Sequence, residues 1–108
     1  MGRYMTKTLT NATTTLTTGV IYPASTNDRV LCTAGSIAIT LPAAADALVG
    51  DTVQVLDASG VAGTNNITVA RNGANIQGSA SDLTIDINNA APILVYSGAT
   101  YGWVISGS

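Results

Sequence analysis

The side chains able to do chemistry in this 108-residue chain are few and restricted in type. All six acids are Asp (28, 46, 51, 57, 82 and 86), the four bases are Arg3, Lys7, Arg29 and Arg71, and Glu and His are absent. The commonest general base, pH switch and metal ligand is therefore missing. Asp82 and Asp86 project from the same face of one expected strand, about 13 Å apart at strand rise. That is wider than either carboxylate spacing used to cleave glycosidic bonds, so they read as solvated turn or edge charges. Asp51 and Asp57 are the pair best placed to join loop carbonyls around a calcium ion. No stretch, however, has the twelve-residue acidic loop that closes on Glu. Cys32, in "RVLCTAG", reads as a small buried core residue, since a catalytic thiol needs an activating base. A single cysteine cannot form an internal disulfide. Ser and Thr are abundant but have no His to activate them. The expectation is a protein with no catalytic residue, no metal and no cofactor, and so not an enzyme.

Composition narrows the partners. Charged residues make up 9% of the chain, against about 25% in ordinary soluble domains. A net charge of −2 without a basic cluster argues against nucleic acid, whose binding is dominated by phosphate neutralisation. No run approaches the ~18 apolar residues of a membrane helix, so no membrane partner is expected. "MGRYMTKTLT" lacks the apolar core of a secretory signal. A globule this poor in charge is weakly protected against association. The expectation is a surface covered by protein in the working state.

Thr, Val and Ile dominate the ordered-looking stretches and suit a pleated surface, so the elements that carry these residues are strands. The expected fold is all-β: a small β-sandwich or jelly-roll-like domain over residues 19–108, with an extended Thr-rich N-terminal arm over 1–18. "DRVLCTAG" and "SIAITLPA" read as two strands around an Ala34-Gly35 turn, with Ile37, Ile39 and Leu41 on one face. "AAADALVG" reads as a loop or a single helical turn. In "DTVQVLDASG", Val53 and Val55 share a face, and Asp57 to Gly60 supplies a turn in which Asp bonds its own downstream backbone. "NITVAR" and "ANIQG" flank Asn72-Gly73, which predicts a two-residue type I′ hairpin with Ile76 facing inward. "DLTIDINN" places Leu83, Ile85 and Ile87 on one face. "PILVYSGATYGWVIS" reads as two strands, each apolar on both faces, and such strands need covering twice.

Three segments together carry a resemblance: Ile39–Pro42, the Asp57–Gly60 turn leading to Asn65–Val69, and the closing Trp103–Ile105. They resemble a module of tailed-bacteriophage virion proteins, found in head-decoration (cement) proteins and in head or tail fibres. The resemblance covers roughly Ser36 to Ser108. It implies a homotrimeric all-β subunit without catalytic residues. A stand-alone chain of this length, with no repetitive shaft, is closer to the decoration proteins. The resulting expectation is a structural protein on the outer capsid surface of the virion, made in the host cytoplasm, that stabilises the shell by binding major capsid subunits. Arg3, Tyr4, Met5 and Lys7 are the expected capsid contacts. Leu94, Tyr96 and Trp103 are the expected intersubunit contacts. The alternative is a fibre module binding a host-surface carbohydrate, with Tyr101 and Trp103 stacking on sugar rings.

Overall fold

In a computed structural model of the chain, residues 13–16 and 21–107 are described. The expected capsid contacts Arg3, Tyr4, Met5 and Lys7 lie outside them. The described residues form nine strands and no helix: β1 (Thr13–Leu16), β2 (Ile21–Pro23), β3 (Arg29–Cys32), β4 (Ala38–Thr40), β5 (Thr52–Asp57), β6 (Ile67–Ala70), β7 (Leu83–Ile85), β8 (Ile93–Tyr96) and β9 (Trp103–Gly107). One sheet runs β9-β8-β5-β3-β1 and the other β2-β4-β6-β7. "AAADALVG" holds a single turn, in which the Asp46 and Ala47 amides donate to the Ala43 carbonyl.

Alternation along each strand decides which side chains go inside. β5 is buried at Val53, Val55 and Asp57 and only half-buried at Thr52, Gln54 and Leu56. β6 and β8 repeat the pattern with Ile67 and Val69, and with Leu94 and Tyr96. Both sheets contribute to one core, in which Val30, Ile39, Val53, Val55, Ile67, Val69, Leu94 and Trp103 are fully enclosed. The expected sandwich is therefore present.

Its connectivity is not that of a jelly roll. β1 pairs with β3 and β3 with β5 in parallel, as do β2 with β4 and β4 with β6. Jelly rolls are built from antiparallel Greek keys. Here the chain alternates between sheets from β1 to β6, so each parallel crossover passes through a strand of the opposite layer. The result is a short two-sided coil. Antiparallel strands close it: β7 on β6, and the β8–β9 hairpin on β5.

The Asn72-Gly73 turn forms as expected but does not make the expected hairpin. Both residues have positive φ (49° and 86°), and the Ala74 amide closes the turn onto the Arg71 carbonyl at 3.1 Å. The strand returning along β6 is nevertheless β7, and "ANIQG" goes elsewhere. Asn75 accepts from the Trp103 amide, Gln77 donates to the Trp103 carbonyl, and Ile76 is buried beside β9. Burial of Ala74 and Ile76 in the shared core outweighs local pairing. Ile87 also departs from expectation. β7 ends at Ile85, and Ile87 is 69% exposed.

The close approach of residues 74–77 to β9 depends on Gly102. At φ +68°, a Cβ there would lie 1.9 Å from the Asn75 carbonyl oxygen. Backbone cannot yield as a flexible side chain would. Gly102→Ala is therefore expected to cost at least about 3 kcal/mol, read as a lower urea midpoint with an unchanged slope.

Candidate interaction surface

Four of the six carboxylates brace the protein's own loops. Asp57 is fully buried. Its Oδ1 accepts from the Ser59 hydroxyl at 2.8 Å and the Gly60 amide at 3.0 Å, which forms the turn expected of "DASG". Its Oδ2 accepts from the amides of Ala62 and Asn89, both at 3.0 Å. The carboxylate thus ties the loop after β5 to the loop after β7. Burial alone would raise its pKa, but these four donors hold it below the ordinary value. Asp28 Oδ2 accepts from the Tyr22 hydroxyl and the Ser25 amide, and Asp51 Oδ2 from the Thr26 hydroxyl and the Leu48 amide. Asp82 accepts from the Arg71 amide, whereas Asp86 is exposed.

Asp51 and Asp57 serve different loops. Among the described residues no three potential metal-ligating side chains of the His, Cys, Asp or Glu type come together. Cys32 is buried as expected, and enclosure together with the Asp57 charge pushes its thiol up to about 11. The Asp57 turn was legible as an Asp-x-Ser-Gly signal. Its Asn89 partner, 32 residues away, carried no local signal.

Leu94, Tyr96 and Trp103 require a correction. They were expected to face a neighbouring copy, but they are 0%, 7% and 0% exposed within this single chain. Tyr96 and Trp103 pack on each other with ring centroids 5.3 Å apart at a 60° tilt, within the separation at which aromatic pairs attract. Strand alternation turns all three toward the facing sheet, so their area is already spent inside. Among the described residues, indole Nε1 is enclosed without a hydrogen-bond acceptor. The two-sided apolar character shows instead in their neighbours Ile93, Val95 and Val104, which are half-buried.

Among the described residues, the large apolar groups presented outward are Leu48 and Val49 (71% and 75% exposed), Ile87, Tyr101 and Ile105. An open groove of about 220 Å³ lies between the edge strands β7 and β9, lined by Leu83, Ile85, Ile87, Ala90, Pro92 and Ile105, together with Thr84 and Asp86. A wider hollow of about 400 Å³ is lined by Gln77, Ser97, Tyr101 and Val104. Ile87 was expected to share the face of Leu83 and Ile85, and the Leu48–Val49 pair was not singled out from sequence. Their exposure depends on where strands stop, which alternation alone does not reveal.

Two outcomes are expected from the buried ionisable pair. Asp57→Ala strands four donors and should lower stability by about 3 kcal/mol or more. Because the folded pKa of Asp57 is depressed, its contribution is complete above the unfolded value near 3.8 and is lost as pH falls through the folded value. Urea midpoints of wild type should therefore drop on acidification, and those of Asp57→Asn should drop less. Cys32 has the opposite sign: stability should fall as pH rises from 9.0 toward about 11, and the native thiol should resist an aromatic disulfide reagent at pH ~8 until unfolded. No protein-family model matches the chain, and no curated protein matches it.

Proposed function

We propose that the chain is a virion structural protein that decorates and stabilises a phage capsid, binding major capsid subunits on the outer surface as a homotrimer. The observation that carries this reading is a division of labour among side chains. Asp28, Asp51, Asp57 and Asp82 are committed to the protein's own turns, while large aliphatic groups face outward on a surface with little charge. A surface of that kind gains from burial against protein. At about 25 cal/mol per Å², removing ~800 Å² of apolar area has a gross worth of about 20 kcal/mol before association costs. Repetition over a shell adds avidity. Arg3, Tyr4, Met5 and Lys7 remain the proposed capsid contacts.

The test is occupancy. The chain should co-purify with intact virions of the phage that encodes it and come off without opening them. Deleting residues 1–10 should abolish occupancy. Absence from virions would overturn the reading, and full occupancy of the truncated chain would overturn the arm contact.

A second reading, a carbohydrate-binding fibre module, keeps one observation: Tyr101 is 63% exposed beside the hollow with Gln77 and Ser97. Trp103, fully enclosed, cannot stack on a sugar. Glycans that bind there should shift the Tyr101 ring resonances and leave Trp103 fluorescence unmoved.

A further inference from the structure

Asn72-Gly73 is the chain's single Asn-Gly pair, and its use as a turn places a reactive dipeptide on the surface. Both residues are exposed, and a Cβ built at Gly73 would meet nothing within 4 Å. Glycine puts no side chain in the way of an attack by its own nitrogen. That nitrogen follows Asn72 directly, so it reaches the Asn72 side-chain carbonyl carbon by closing a five-membered ring, with the entropic advantage of an intramolecular step. Every other asparagine precedes a residue that carries a side chain, which crowds the same approach.

The folded turn holds that reaction back. Asn72 Nδ2 donates to the Leu41 carbonyl at 2.9 Å, across 31 positions of sequence. The partner can only accept, so the nitrogen is the side-chain atom that faces it. The Ala74 amide closes the turn on the Arg71 carbonyl, and the Arg71 amide donates to Asp82 Oδ1. The Leu41 amide donates in turn to the Ala70 carbonyl. The nitrogen that would leave as ammonia is therefore the one that ties the turn after β6 to the end of β4. Its departure and the loss of that tie are a single event.

We propose that Asn72 is a site of spontaneous modification by water, and that its bond to the Leu41 carbonyl sets the rate in the folded protein. The Gly73 nitrogen gives up its proton and bonds to Asn72 Cγ. The Cγ–Nδ2 bond breaks, ammonia leaves with that proton, and a cyclic imide remains. Water then adds to one of the two imide carbonyls and cleaves its bond to the Gly73 nitrogen. Cleavage at Cγ gives aspartate, and cleavage at the backbone carbonyl gives isoaspartate. One water enters and one ammonia leaves, with no change of oxidation state. The product sets an anion where a donor had met the Leu41 carbonyl, so that carbonyl loses its partner and the corner between β4 and β6 loosens. The chemistry is the same whether or not the chain binds a capsid.

The experiment ages folded wild type in mildly alkaline buffer beside the same chain unfolded in guanidinium chloride. Peptide mass mapping then locates the amide-to-acid change and its isoaspartate form. In the folded protein the change should reach Asn72 before any other asparagine. It should run there at least about fivefold more slowly than in the unfolded chain, as the loss of one hydrogen bond requires. Asn72→Asp carries the product's charge without the tie, and its urea midpoint should lie below that of wild type. Earlier conversion at another asparagine, or equal rates in the two states, would overturn the proposal. So would a folded protein still intact after many half-lives of the unfolded chain, or an Asn72→Asp midpoint no lower than wild type.

Discussion

One fully buried carboxylate ties together two loops of this chain that lie far apart in sequence. Asp57 closes β5, enters the core fully, and accepts four hydrogen bonds from two loops far apart in sequence. An anion enclosed this way is tolerable only when its lone pairs are met, and the loss of one partner is far costlier than the net worth of each bond. The loop after β5 and the Asn88–Asn89 corner must therefore keep their shapes together. Gly60 and Gly63 lie against the Asn89 and Asn88 side chains, and the Gly63 amide donates to Asn88 Oδ1.

What was legible in the sequence followed from local physics. Alternation marked the inward faces of β4, β5 and β6. Asp-x-Ser-Gly marked a turn, Asn-Gly marked positive φ at both of its residues, and an isolated cysteine among β-branched neighbours marked a core position. What was not legible depended on tertiary competition. Nothing in "ANIQG" says that it leaves β6 to lie beside β9, because that choice is made by core area distant in sequence. Nothing in the alternating strands says that they pair in parallel, because a period of two is the same for either direction. Leu94, Tyr96 and Trp103 were read correctly as packing residues but placed against the wrong neighbour. Both faces of their strands are apolar, and only the fold decides which face turns inward.

The same logic separates interior from exterior chemistry. Hydrogen-bonding capacity is concentrated in turns that shape the molecule: Asp28 with Tyr22 and Ser25, Asp51 with Thr26 and Leu48, and Asn72 Nδ2 with the Leu41 carbonyl. Those turns in turn decide which aliphatic side chains protrude. Leu48 and Val49 stand out because Asp51 fixes the loop beneath them. Exterior greasiness is here a product of interior polarity.

The two-layer coil carries a kinetic consequence. Since β3 reaches its neighbour β5 only by way of β4 in the opposite layer, neither sheet can be assembled to completion ahead of the other. Pairings such as Arg29 with Gln54 and Ala38 with Thr68 join positions well separated along the chain, and the loop entropy is lost before the contacts offset it. Such a topology belongs with the slow end of small-domain folding, on the order of milliseconds to seconds. During that interval unsatisfied strand edges and bare aliphatic faces coexist. A nascent copy is then most exposed to wrong neighbours just before it becomes able to choose the right one.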